Sequence, residues 1–404
     1  MSSINLSDDN KKVINQNEKD KKENCQLNNN DKIYVNLESI IQNQNNYNNI
    51  KGVIYALFNY QIDSLQSIDR IERDFKTIGE KYTKRLPFNY IERLDKLKEA
   101  IMQNYTFLFK IAEPYKGLFK IYKYPSGESY LERLEVNSNN IIQIRSSLFL
   151  FIRDWSIEGK EERDSTYKLI LEELKLFFKN KTKNDYEKGI NILIPGAGLG
   201  RLVYEIAKLG FKAHGNEFSF FMLLYCNFLF TNNIKKNDIT IQPFIHILCN
   251  LFNFESAFRK LLIPDENIKE ELLKSETGSL YMEGGDFIST YKNKLNFYDS
   301  IVTCFFIDTA YNIIEYIETI YNTLKVGGIW INIGPLLYHH TSDPNAVSIE
   351  LGWNDIKEII IGFDFEITKE KIVEITYSSD KESMMKKVYR CIFFTAVKKS
   401  KIYI

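Results

Sequence analysis

Residues 191–210 read NILIPGAGLGRLVYEIAKLG, and the succession of residue types there decides the fold of the second half of the chain. Ile192, Leu193 and Ile194 make a short apolar run of the kind that forms a buried parallel strand. Gly196, Gly198 and Gly200 follow, and a helical pattern opens at about Arg201. Glycines at such a turn let the backbone reverse sharply and let a ligand come close to it. The helix beyond offers free N–H groups and the positive end of its dipole. The spacing is GxGxG, and Arg201 occupies the place where a dinucleotide fingerprint takes Gly or Ala. That argues against a pyrophosphate reader. A loop of this type suits the carboxypropyl end of S-adenosylmethionine instead.

The residues further along fit an adenosyl ligand. Glu217, in AHGNEFS, comes 17 residues after Gly200, at the expected end of a second strand. A carboxylate there accepts hydrogen bonds from both ribose hydroxyls. Asp286 and Phe287, in MEGGDFIS, follow a third strand. They can bond the adenine amine and pack on its ring, or Asp286 can simply cap a helix. Short apolar runs alternate with helical segments throughout: GINILIPGAG, KAHGNEF, ITIQPF, FYDSIVTCFFID and GGIWINIG. Such alternation predicts a mainly parallel sheet covered by helices on both faces. The end differs. FDFEITKEKIVEITYS and YRCIFFTAVKK are strand-like with little helix between them. A closing antiparallel hairpin is typical of class I methyltransferases and not of nicotinamide dehydrogenases. The expected fold is therefore α/β, a class I methyltransferase Rossmann-like sheet.

The substrate side is expected on the next two strands. Residues 300–307 read as the fourth strand, with Asp308 just past its C-terminal edge, where open α/β sheets bind ligands. A helix follows to about Leu324, and Gly327 and Gly328 turn the chain into a fifth strand over residues 330–333. Its edge delivers Pro335, Tyr338, His339 and His340. Neighbours on an extended chain point opposite ways, so at most one of the two histidines faces a site and metal binding by the pair is not expected.

Before residue 186 the pattern is helical. IYALFNYQIDSLQSIDRIERDF, YIERLDKLKEAIMQNYTFLFKIA, residues 137–156 and EERDSTYKLILEELKLFFKNK place apolar residues three and four apart. PYKGLFKIYKYPSGESY breaks the series. Three segments emerge: a low-complexity tail over residues 1–45, expected to be disordered; a helical region over 46–185; and the methyltransferase domain over 186–404. The tail is rich in Asn, Lys and acids and cannot bury enough apolar surface to offset its ordering entropy.

Composition excludes other classes. Lys plus Arg and Asp plus Glu both total 53 in 404 residues, which leaves no global basic field for nucleic acid. Five scattered cysteines, with no CxxC pair, argue against a zinc site and a disulfide framework and point to reduced thiols. The most apolar stretch, residues 218–230, is too short to span a bilayer and reads as a buried helix. The start of the sequence is polar and does not read as a secretory signal.

Several longer stretches resemble the carnosine N-methyltransferase family, also called the N2227-like family. They are VIYALFNY, FIRDWSIEGKEERD, NILIPGAGLGRLVYEIAKLGF, GNEFSFFMLLYCNF, CFFIDTAYNIIEYIETIY, GGIWINIGPLLYHH and SMMKKVYRC. The resemblance covers residues 50–400. It implies methyl transfer from S-adenosylmethionine to an imidazole nitrogen of carnosine, giving anserine. It implies cofactor contacts at Arg153, Gly196, Gly198, Gly200, Glu217, Asp286, Phe287 and Cys304. Asp308, His339, Tyr377 and Tyr389 match the substrate positions, with Asp308, His339 and Tyr389 in catalytic roles. The partner implied is a small imidazole dipeptide, with neither nucleic acid nor membrane; a homodimer stays open. The expected location is the cytoplasm, with the nucleus as a second compartment. Three departures stand out: Leu150 where the family has Gln, Lys387 and Val388 in a run that is often Tyr-rich, and Tyr311 where DTAHN has His. Another imidazole substrate, a protein histidine or a non-catalytic cofactor-binding module are the alternatives.

Overall fold

The computed structural model describes residues 32–37, 41, 44–123 and 129–400. Most of the tail expected to be disordered, residues 1–31, 38–40 and 42–43, lies outside the described residues. One piece of it does not. Ile33–Asn36 is a strand, β1, paired parallel along the sheet margin with Ile33 opposite Leu280. The expectation of disorder failed there because composition averages over a long polar window and hides four residues, IYVN, with strand character.

Seven more strands complete the main sheet: β2 Asn191–Pro195, β3 Lys212–Glu217, β4 Ser279–Gly284, β5 Tyr298–Cys304, β6 Leu324–Gly334, β7 Phe365–Ile375 and β8 Tyr389–Lys398. Their order is β1-β4-β3-β2-β5-β6-β8-β7. β8 is antiparallel to both β6 and β7, and the other neighbours are parallel. Apart from β1, this is the class I methyltransferase arrangement: a doubly wound sheet whose last hairpin inserts its second strand beside β6. The run ITIQPF does not join it. Ile239–Ile241 pairs with Leu261–Ile263 as a separate antiparallel ribbon. Pro243, two residues past Ile241, cannot donate to a ladder.

The long helices are α1 Gln44–Thr77, α2 Tyr90–Ala112, α3 Ser138–Trp155, α4 Lys160–Phe177, α5 Arg201–Lys208, α6 Phe220–Thr231, α7 Ile313–Thr323 and α8 Trp353–Gly362. Asn89 caps α2 by accepting from the Ile91 and Glu92 amides, and Asn137 caps α3 through the Asn139 amide. One hydrophobic cluster runs from Leu57 and Tyr60 on α1, through Leu148 and Phe151 on α3, to Tyr225 on α6 and Ile192 on β2. The helical region therefore packs directly on the sheet.

The end of α3 is the tightest of these contacts. Trp155 Nε1 donates to the Leu199 carbonyl at 3.0 Å, and Arg201 Nη1 donates to the Asp154 carbonyl at 2.9 Å. The Asp265 amide reaches the Trp155 carbonyl at 2.8 Å. Arg201, buried at 4% exposure, also binds Asp265 at 2.5 Å, Glu266 at 2.5 Å and Glu205 at 2.7 Å. The residue that sets the glycine loop apart from a dinucleotide fingerprint is thus an ionic hub joining that loop to α3.

Candidate functional site

Chain order reverses between β2 and β5: successive strands run outward to β3 and β4 on one side, and to β6 on the other. Ligands of open α/β sheets sit at the carboxyl end of such a switch point. Here the loop after β2 has Gly196, Gly198 and Gly200 at φ of 67°, 55° and 74°, a region that L side chains rarely occupy. A Cβ on Gly196 would lie 2.5 Å from the Phe306 ring, so that glycine serves packing. A Cβ on Gly198 would meet nothing within 4 Å. The open space over Gly198 fits a ligand that lies against the backbone. Replacing Gly198 by Ala is expected to weaken S-adenosylhomocysteine binding by about tenfold or more, the equivalent of ~1.4 kcal/mol. The thermal midpoint should fall little, since only the local φ strain is added. Calorimetric titration checks it, and an unchanged Kd would remove Gly198 from the cofactor site.

Glu217 closes the other side of this space. It is the last residue of β3, and its carboxylate accepts from the Gly198 amide at 2.7 Å and the Ser219 amide at 2.8 Å. Burial pushes its carboxyl above the usual range, while the amides of Ser219, Gly198 and Phe218 pull it back. The acid is thus fixed in place before any ligand arrives. A carboxylate has further acceptor positions, which leaves capacity for ribose hydroxyls. Asp286 is exposed and caps the short helix Phe287–Tyr291 through the Ser289 amide at 2.9 Å. The capping reading of Asp286 is therefore present in the structure, and it uses one carboxylate oxygen. Phe287 is buried, its ring edge-on to Phe306 at 5.4 Å and Tyr316 at 5.2 Å. Phe306 and Tyr316 stack at 4.8 Å and 11°. Together these rings make an aromatic wall beside the glycine loop.

A second group converges from four elements. Arg153, in the last turn of α3, is buried at 6% exposure. Its guanidinium lies 4.5 Å from the Tyr377 ring, 5.0 Å from Tyr167 and 5.7 Å from Phe305. Nη2 approaches Cys304 Sγ at 3.9 Å, and Nε faces Glu162 at 3.2 Å. Nε makes no hydrogen bond of good geometry. A buried guanidinium has five N–H donors, and this one leaves room for an incoming carboxylate. Burial pushes the Cys304 thiol up to about 11, so it stays protonated and is no nucleophile at neutral pH. Phe305 packs on Tyr377 at 4.6 Å with the rings tilted by 42°, and meets Tyr389 edge-on at 6.1 Å. Burial raises the Tyr377 phenol to about 12.

Asp308 is buried at 3% exposure in the tight turn Ile307–Thr309. The fourth strand ends at Cys304 and not at Ile307 as expected, because Phe305 takes φ 53° and breaks the extended run. The fifth extends to Leu324–Gly334, with a register shift between Leu324 and Ile329 and Gly327 at φ 76°. Asp308 Oδ2 accepts from the Leu337 amide at 2.9 Å, and its carbonyl accepts from the His339 amide at 3.2 Å. Burial raises its carboxyl; the Leu337 amide and the nearby His339 draw it back down. The two histidines part company. His339 is exposed and tied to Asp308 through its backbone amide, whereas His340 stacks on Tyr311 at 3.6 Å and 16°.

The structure therefore sets Gly198 and Glu217 beside one open space, turns Gly196 onto Phe306 and Gly200 onto Phe230 and Cys226, and gathers Arg153, Cys304, Tyr377 and Tyr389 around Phe305. Asp308 and His339 form a third group, after the same strand as Cys304. Phe305, Phe306, Tyr167 and Glu162 were not singled out from the sequence. For the first two the apolar run CFFI was a signal, read as strand continuation; the others gave none. Among the described residues no group of three or more His, Cys, Asp and Glu could hold a metal ion, and no helix is long and apolar enough to cross a membrane.

The family model for carnosine N-methyltransferase matches residues 131–400. The chain belongs to the carnosine N-methyltransferase family. The mouse carnosine N-methyltransferase is 39% identical over 350 residues, covering 86% of this chain and 85% of the mouse protein. The Dictyostelium discoideum protein of the same name is 35% identical over 355 residues, covering 85% of this chain and 75% of its own. Among solved structures, phosphoethanolamine N-methyltransferase 2 of Haemonchus contortus with S-adenosyl-L-methionine has a TM-score of 0.38 at 13% identity, covering 68% of this chain and 62% of that one. Membership in the carnosine N-methyltransferase family makes this an S-adenosylmethionine-dependent methyltransferase. The open cradle over Gly198, the prefixed Glu217 and the under-bonded Arg153 fit that cofactor.

Proposed function

We propose that the enzyme methylates an imidazole ring nitrogen of carnosine, giving anserine. The observation that carries this reading is the buried Asp308 carboxylate, bonded to the Leu337 amide at the switch-point edge, with the His339 amide on the carbonyl of the same residue. Arg153 would hold the methionine carboxylate of the cofactor, Glu217 its ribose, and Asp286 with the Phe306–Tyr316 wall its adenine. S-adenosylmethionine supplies an already activated methyl group when bound. The protein's task is then placement of the acceptor nitrogen in line with that methyl.

Imidazole attacks only when neutral, and only through the nitrogen that carries no proton. Asp308 would accept the opposite N–H, fixing the tautomer and stabilising the positive charge that develops on the ring, as the acid of a catalytic triad does for its histidine. His339 orients the ring or takes up the released proton. Tyr377 and Tyr389 wall the pocket and offer phenolic donors. Incubation with methyl-labelled S-adenosylmethionine and carnosine, homocarnosine, histidine or a histidine-containing peptide tests the reading. Label is expected on carnosine, and NMR should place it on a ring nitrogen. Label on the peptide alone, or on no imidazole, would overturn it.

A further inference from the structure

Glu162 stands in the first turn of α4, outside every cofactor and substrate assignment made above. One face of its carboxylate meets Arg153 Nε at 3.2 Å. The same carboxylate accepts from the Ser378 amide at 2.7 Å and the Ser379 amide at 3.3 Å. Those two amides belong to the turn directly after Tyr377. Ser378 is held there at φ 49°, a costly conformation for a residue other than glycine. A neighbour on α4 makes a second, solvent-exposed contact to the same stretch: Glu161 pairs with Lys381 at 2.9 Å. Tyr377 in turn lies against the Arg153 guanidinium at 4.5 Å. The three groups therefore form a closed loop: Arg153 to Glu162, Glu162 to the turn, and the turn's Tyr377 back to Arg153.

We propose that Glu162 is a positioning residue that couples the two halves of the reaction. It ties the arginine that receives the cofactor carboxylate to the turn that carries a substrate tyrosine. This rests on the assignment of Arg153 and Tyr377 under the proposed function. When a cofactor carboxylate engages Arg153, the guanidinium has a further anion to satisfy beside Glu162 and Asp154, and its alignment with Glu162 changes. Glu162 passes that change to Ser378 and Ser379, and so to Tyr377. The cavity on the outer side of this group, of about 560 Å³, is lined by Arg153, Glu162, Ser378 and Ser379 and gives the turn room to move. A residue that only stabilised the fold would affect the two sites equally and independently of ligand.

Hydrogen exchange of the Ser378 and Ser379 amides, with and without S-adenosylhomocysteine, reads the coupling directly. In the wild-type protein the ligand is expected to slow their exchange by about fivefold or more, the lower end of ordinary inter-site coupling. Ser378 and Ser379 bond separate oxygens of the carboxylate, so Glu162→Gln keeps an acceptor for one of the two amides and removes one of the two carboxylate charges beside Arg153. In that variant the ligand-dependent slowing should vanish and the Kd for S-adenosylhomocysteine should rise. Glu162→Asp, which restores the charge on a shorter arm, should recover part of both. The same ligand-dependent slowing in Glu162→Gln as in wild type would overturn the proposal. So would an unchanged Kd in Arg153→Gln, which removes the arginine's assignment itself. Neither arm uses the dipeptide, so a failure of carnosine as acceptor strikes the substrate reading and leaves the exchange result to decide this one.

Discussion

Replacing Asp308 by Asn is expected to lower kcat with carnosine by about 10²- to 10⁴-fold, the range over which positioned acids and triad carboxylates act. Binding of S-adenosylhomocysteine should stay near its wild-type value, because Asp308 lies beyond the glycine loop and Glu217. The same variant should be more stable than the wild type at neutral pH. Burial raises the Asp308 carboxyl, so the folded protein holds that proton more tightly than the unfolded chain does. Above both values the buried charge lowers stability, and the penalty disappears as pH falls below the unfolded value. Asn keeps an oxygen for the Leu337 amide and carries no charge. Its advantage in thermal midpoint should therefore be present at neutral pH and shrink on acidification into the carboxylate range. Wild-type turnover in Asp308→Asn would remove the residue from the mechanism. A midpoint below wild type at neutral pH would contradict the electrostatic account.

Arg201→Ala should be the most destabilising single change at the site. Arg201 donates to Asp265, Glu266, Glu205 and the Asp154 carbonyl while almost wholly buried. Arg163, the other guanidinium on Asp265, also bonds the Arg153 and Ser156 carbonyls and cannot replace the lost donors. Deleting one partner of a buried ionic group costs about 3–5 kcal/mol, against a total of about 5–15 kcal/mol for a folded protein. Denaturant unfolding should show it. Cofactor affinity should fall as well, because the Arg201–Asp154 contact and the Trp155–Leu199 bond together seat α3 against the glycine loop. Arg201→Lys keeps a charge but not the planar fork and should lie between. A loss below about 1 kcal/mol, the scale of an exposed ion pair, would show that the hub is solvated and not structural.

What the sequence made legible was what is encoded locally. The loop at Gly196, Gly198 and Gly200 announces itself through spacing, because only glycine tolerates those φ values at low cost. The α2 span of residues 90–112 follows from a clean three-and-four periodicity, whereas its Asn89 cap was not named from the sequence. Asp308 was placed at the correct edge although its strand stops earlier. An apolar run such as CFFI cannot reveal by itself that Phe305 turns to positive φ. Contacts between distant segments left no trace. Asp265 meets Arg201, and Glu162 meets Ser378, across separations that no periodicity spans. Arg153 entered only through the resemblance carried by RDWS. Its surroundings, Tyr167 and Phe305 among them, became visible once α3 was seated on the sheet.

The strand β1 has a consequence for how the molecule is made. Its partner β4 lies roughly 250 residues downstream. At ordinary rates of about 5–20 residues per second, a ribosome delivers that partner roughly 12–50 s after β1 has emerged. Throughout that interval the growing chain carries a strand with nowhere to go. When it docks, it covers four of the six residues on the margin of β4. An open margin of that kind is a template for pairing between molecules. A strand made early in synthesis thus closes the sheet late, and acts as an end-cap against polymerisation.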